Sequence, residues 1–296
     1  MANITISNVC GLCAGCSRSI DMATNAAKQN KTVLYKEIVH NKNVNDMLSK
    51  LQIKTITDLS EADPDELIIL RAHGEPPETY NYLDENNLNF IDCTCPNVTK
   101  IHELVKEYSD KGYKIILIGK YGKHSGKIHP EVFGTIGWSS SEPILVEDES
   151  DLNKLQHLKN SNLYLICQTT FNEAKADILI DNISKLCKNN NNELIINKSI
   201  CGAQKAINIA SVNLAKNSDV MIVVGGKNSS NSIELFNNIK QYTKAIFIED
   251  INSWKDELTS KNIDFSKETN FGLTAGASTL KDELISLKNL IEQELK

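Results

Sequence analysis

Three times along this chain a short apolar, β-branched run ends near a cysteine and gives way to a helical pattern. The stretches are Ile4 to Asn30, Leu88 to Asp110 and Leu194 to Asn217, with Cys13, Cys95 and Cys201 at the junctions. Strands that alternate with helices bury their apolar faces in parallel sheets flanked by those helices, so the recurrence points to α/β architecture and away from all-α or all-β folds. The rest of the chain repeats the alternation. Strand patterns at Thr32 to Val39, Glu66 to Ala72, Tyr113 to Gly119, Leu163 to Thr169, Asp219 to Gly225 and Ala245 to Glu249 are interleaved with helical patterns. The helical patterns lie at Ser17 to Gln29, Val98 to Asp110, Asn172 to Lys188, Ala203 to Lys216, Ser232 to Tyr242 and Leu280 to Leu295. If each cysteine belongs to its own unit of about 100 residues, the expected domains are 1–95, 96–192 and 193–296, with the N-terminal strand free to pack with the third.

The chain contains eight cysteines and no pattern of a secretory signal or membrane span. That combination argues for a soluble cytoplasmic protein whose thiols stay reduced, some of them as ligands. A net charge of −6 leaves no basic footprint for nucleic acid. A monomer acting on a small molecule is expected.

In open α/β sheets ligands bind beyond the carboxyl ends of the strands, and the unusual side chains of this sequence cluster there. Strand ends carry His40-Asn41, His73-Gly74-Glu75, Gln168-Thr169-Thr170, Gly225 to Ser232 and Thr274 to Thr279, and the loop after Gly119 carries His124, His129 and Glu131. Hydroxyls, amides and imidazoles beside helix N-termini suit a phosphate or diphosphate. Three cysteines fall short of a closed structural zinc site, which takes four protein ligands. They fit a metal centre with one open position, either an ion or an iron-sulfur cluster with one iron left for substrate.

Taken in order, Gly11-Leu12-Cys13-Ala14-Gly15, Glu37 to Asn41, Ala72-His73-Gly74, Asp92 to Pro96, His129-Pro130-Glu131-Val132, Gln168-Thr169-Thr170, Lys227 to Ser232 and Thr274 to Ser278 resemble the motifs of the 4-hydroxy-3-methylbut-2-enyl diphosphate reductase family. The resemblance spans nearly the whole chain. It implies three similar α/β domains in a trefoil around a central [4Fe-4S] cluster held by Cys13, Cys95 and Cys201, with one open iron. It implies a two-electron removal of the allylic hydroxyl that yields isopentenyl and dimethylallyl diphosphates, the last step of the non-mevalonate isoprenoid pathway. By the same resemblance Glu131 is the proton donor, and His40, His73, His129, Thr169, Ser229, Ser230, Asn231 and Ser278 bind the diphosphate or line its pocket. A ferredoxin or flavodoxin is the expected electron donor. A carboxyl beside a buried anion is raised in pKa and holds its proton at neutral pH.

Two departures stand out. The loop from Tyr121 to Ile128 is longer than the family's approach to its His-Pro-Glu and adds His124, and Gln204-Lys205 follow Cys201 where the family carries hydroxyls. Cys10 and Cys16 make a C-x2-C-x2-C run with Cys13, but the ferredoxin continuation C-x3-C-P is missing. We read both, with Cys93, Cys167 and Cys187, as thiols outside the ligand set. From the residues alone two other readings stay open: a non-redox hydro-lyase using the same open metal, and a metal-bearing sensor without catalysis.

Overall fold

A computed structural model describes residues 3–295. It contains three four-stranded sheets, in all of which every strand pair is parallel. The chain divides into two compact units.

One unit comprises Met1–Thr24, Val39–Gln52 and Gly202–Lys296. Its sheet has the order β1-β12-β10-β11, with β1 at Ile4–Ile6, β10 at Val220–Val224, β11 at Lys244–Ile248 and β12 at Phe271–Ala275. The Val-Met-Ile-Val-Val run of β10 is buried along its whole length, as a central parallel strand covered on both faces must be. Ile222 and Val224 pack with Leu273, Leu284 and Leu287 on one side. Met221 and Val223 pack with Ile207, Leu235 and Ala277 on the other, where Cys13 adjoins. Helices α2 (Lys42–Lys50), α7 (Gly202–Ala215), α8 (Ser230–Ile239), α9 (Trp254–Ser260) and α10 (Lys281–Glu294) belong here. The first turns of α1 (Ala14–Ala27) do too.

The other unit comprises Asn25–Ile38 and Ile53–Cys201 and holds two sheets, β3-β2-β4-β5 and β7-β6-β8-β9. Their strands are β2 (Thr32–Tyr35), β3 (Lys54–Ile56), β4 (Leu67–Leu70), β5 (Phe90–Asp92), β6 (Lys114–Ile118), β7 (Ile144–Val146), β8 (Asn162–Cys167) and β9 (Glu193–Asn197). Helices α3 (Pro77–Glu85), α4 (Pro96–Asp110), α5 (Pro130–Gly137) and α6 (Glu173–Asn189) flank them.

Two elements differ from the sequence reading. β2 stops at Tyr35 because Lys36 takes a left-handed φ of 62°, a conformation that ends extended pairing; Ile38 and Val39 remain buried beyond it. Glu131, expected in a loop, sits in the first turn of α5. Pro130 starts that helix, where its fixed φ and missing N–H cost nothing. The His129 side chain caps it, Nδ1 accepting the Glu131 N–H at 3.2 Å.

Candidate functional site

In the larger unit the chemistry gathers around the end of β8. Its register is held by the Gln168 N–H bond to Ile118 O at 2.8 Å. Thr169, one residue on, is 5 % exposed and bonds in two directions. Its N–H donates to Glu131 Oε1 at 2.5 Å and its hydroxyl pairs with Oε2 at 2.7 Å. Its carbonyl accepts the Cys201 N–H at 2.8 Å. The Cys201 sulfur in turn accepts from Asn97 Nδ2 at 3.4 Å, and Asn97 lies in the first turn of α4, immediately after Cys95 and Pro96. Cys95 is the residue that precedes that helix, its N–H tied to Ala72 O at 3.0 Å. His73 follows Ala72, and its ring meets His129 edge-on with centroids 5.7 Å apart. Cys95, Cys201, His73, His129, Glu131 and Thr169 are thus linked through short contacts within one unit.

The turn that carries His73 is clamped from behind. Gly74 has φ 77° and sits so close to His102 that a Cβ there would meet the ring at 2.5 Å. His102 stacks on Trp138, and Trp138 Nε1 donates to Glu75 O at 3.1 Å. Burial holds the His102 imidazole neutral, down at about 4, so it packs as an aromatic spacer.

Glu131 is 2 % exposed. Burial penalises its charge and, against the two Thr169 bonds that favour the anion, raises its pKa from 4.5 to about 7. The cause is desolvation by the protein itself. Between these two values the native state holds a proton that the unfolded chain lacks, so stability falls as pH rises from about 4.5 to about 7. The loss is roughly 3 kcal/mol at about 1.4 kcal/mol per pH unit. Urea midpoints measured at pH 5 and pH 8 are expected to show it in the native sequence and to lose it in Glu131→Gln; an equal slope in both would contradict the assignment.

In the smaller unit the loops after β10 and β12 meet the segment around His40. Asn41 caps α2 through Val44 N–H at 3.1 Å, and its amide reaches Thr279 Oγ1 at 3.4 Å. Gly226 lies against the His40 carbonyl so closely that a Cβ would stand 2.5 Å from that oxygen. Gly226→Ala is therefore expected to cost about 1–3 kcal/mol through displaced backbone, read as a lower Tm; an unchanged Tm would show that the loop yields freely. Ser229 caps α8 and is buried. Ser278 is 6 % exposed, and its hydroxyl has no hydrogen-bond partner among the described residues. Asn231 Oδ1 and Gln204 Oε1 share that condition, while Gln204 Nε2 donates to Asn231 O at 3.3 Å. Buried polar atoms without partners mark a place made for a ligand or water. The side chain of Ser230 lies outside the described residues.

The cysteines sort into two kinds. Cys93, Cys167 and Cys187 are buried, and burial pushes the Cys167 thiol up to about 12 and raises that of Cys187. Cys13, Cys95 and Cys201 are partly exposed, each at a helix start with its backbone N–H anchored, Cys13 to Ala277 O at 3.0 Å. A hydrogen bond from the Cys16 side chain, aided by first-turn N–H groups, outweighs burial and brings the Cys13 thiol down to about 6. The Cys13 and Cys201 sulfurs each receive an N–H bond, the kind of contact that ligand sulfurs take, while among the described residues no three such side chains stand together as a formed metal site. Cys10 differs: its Sγ is turned to Ser7 O at 3.1 Å, and burial raises its pKa. His124 pairs with Asp148 on the surface, 2.8 Å away, apart from the bonds that link Glu131 to Cys201.

The sequence reading does not single out Asn97. Its signal is the position itself, a polar side chain in the first turn after Cys95-Pro96. Gln204 enters that reading only as a departure, and its burial supplies the reason to include it.

A family model described as LytB protein matches residues 4–291. The 4-hydroxy-3-methylbut-2-enyl diphosphate reductase of Clostridioides difficile (strain 630) is 33% identical over 294 residues, covering 97% of this chain and 100% of its own length. The enzyme of that name from Photobacterium profundum is 34% identical, over 94% of this chain and 87% of its own. Among solved structures, the E-1-hydroxy-2-methyl-but-2-enyl-4-diphosphate reductase of Plasmodium falciparum superposes with a TM-score of 0.84 at 28% identity, covering 98% of this chain and 87% of that one. A second, of (E)-4-hydroxy-3-methyl-but-2-enyl diphosphate reductase, the terminal enzyme of the non-mevalonate pathway, gives 0.71 at 29% identity, with 99% and 100% covered.

Proposed function

The chain belongs to the LytB protein family, and on that premise we propose that it reduces (E)-4-hydroxy-3-methylbut-2-enyl diphosphate to isopentenyl and dimethylallyl diphosphates, the terminal step of the non-mevalonate pathway. Substrate, two electrons and two protons give product and water. Cys13, Cys95 and Cys201 would hold a [4Fe-4S] cluster, which would supply electrons and a Lewis acid for the departing hydroxyl. Electrons reach it from a ferredoxin or flavodoxin.

The protein's own residues supply the rest. Glu131 holds a proton near neutral pH; in that form its O–H donates to Thr169 Oγ1 while the Thr169 N–H still donates to the other carboxyl oxygen. The proton is thereby presented from a fixed position and at a pKa matched to the medium. His73 and His129, together with His40, Ser229, Ser230, Asn231 and Ser278, receive the diphosphate. The start of α8 adds helix-terminal N–H groups of the kind suited to an anion. The observation that carries this reading is Thr169, which ties the buried carboxyl and the backbone of a proposed ligand cysteine to a single residue.

The test is anaerobic turnover of the allylic diphosphate by iron-reconstituted protein. Both products are expected with a low-potential reductant and none without it. Consumption of substrate in the absence of any reductant would replace this reading with a hydro-lyase.

A further inference from the structure

We propose that Cys13 and Cys16 form a redox-active pair, a Cys-Ala-Gly-Cys site at the start of α1 that closes to a disulfide in the cluster-free chain and has to be reduced before Cys13 can serve as a ligand. The spacing is that of dithiol redox motifs, two residues between thiols at a helix N-terminus. α1 begins at Ala14, and the Ser17 N–H bond to Cys13 O at 2.9 Å closes its first turn. The Cys16 N–H donates to Cys13 Sγ at 3.4 Å, so the Cys13 sulfur lies over the turn that carries Cys16. Side chains three apart on such a turn have Cβ atoms about 5–6 Å apart, a small closing movement from the ~4 Å that a disulfide needs. Both thiols are partly exposed, and only Ala14 and Gly15 stand between them. Cys10 turns its sulfur to Ser7 O at 3.1 Å instead.

The exchange balances against a low-molecular-weight disulfide such as oxidised glutathione. Cys13 attacks one sulfur and releases one glutathione; Cys16 gives its proton to solvent and displaces the second. The two cysteines lose two protons and two electrons, and the glutathione disulfide takes them up as two thiols. A neighbouring resolving thiol also intercepts Cys13 before it oxidises irreversibly. The disulfide follows from the local geometry alone, whereas its effect on cluster loading rests on the ligand role proposed above.

The experiment uses the full chain freed of iron, equilibrated with oxidised and reduced glutathione, quenched in acid, alkylated and mapped by peptide mass spectrometry. A Cys13–Cys16 link is expected in the native sequence and in Cys10→Ser, and a glutathione adduct on Cys13 in Cys16→Ser. Cys13 and Cys16 both recovered unlinked at excess oxidised glutathione, or Cys13 linked to Cys10, would overturn the proposal. Iron and sulfide uptake by the linked chain should be about tenfold slower than after dithiol reduction. A linked chain that loads at an undiminished rate overturns the gating and with it the ligand role of Cys13, while the disulfide stands.

Discussion

Replacing Glu131 with Gln is expected to lower kcat by about 10²–10⁴-fold, the usual contribution of a positioned general acid, while changing the substrate Kd only a few-fold. The substitution keeps the size of the side chain. Its amide oxygen can still accept from the Thr169 N–H that now reaches Oε1 at 2.5 Å, so the geometry survives and the transferable proton does not. Because burial places the carboxyl at about 7, the native enzyme should lose kcat as pH rises through that value, since the proton-bearing form is the competent one. The residual rate of Glu131→Gln should not show that limb. Stopped-flow or steady-state assays from mildly acidic to mildly alkaline pH with reduced donor would read both effects. A variant within tenfold of the native kcat, or one that keeps the limb near 7, would assign the proton to another group.

The second large effect is expected at Cys201. In Cys201→Ser the hydroxyl still fits beside Asn97, but an alcohol does not ionise to a soft anionic ligand as a thiol does. The reconstituted variant is expected to hold little iron and to show no measurable turnover, with Tm close to that of the native apo chain because the backbone bond from its N–H to Thr169 O remains. Asn97→Ala, which removes only the donor to the sulfur, should be milder, about 10–100-fold in activity, as for outer-shell partners of metal ligands. Full iron content and turnover in Cys201→Ser would remove this cysteine from the ligand set.

What the sequence disclosed, and what it hid, divides along physical lines. Strands such as β6, β8 and β10 were legible because central parallel strands are continuous apolar runs, and the long helices because their apolar positions recur at helical spacing. The segment Pro130 to Gly137 was not legible as a helix, since Val, Phe, Thr, Ile and two glycines make a poor helical sequence. Its reason lies outside itself. Gly134 packs where a Cβ would stand 2.9 Å from Gly74 O, and Gly137 where it would stand 2.5 Å from Pro76 Cβ, so the glycines that weaken the helix are what let it dock. The end of β2 at Lys36 was hidden for the converse reason: the apolar residues continue, and only a backbone dihedral stops the strand. For Glu131 the sequence reading drew a raised pKa from a neighbouring anion; the burial that raises it in the structure comes from residues distant in sequence.

Thr169 has a further consequence. Its N–H and its carbonyl belong to the two peptide planes that flank one Cα, and one fixes Glu131 while the other fixes Cys201. A shift of the strand end would therefore reach the acid and the Cys201 backbone through the same residue.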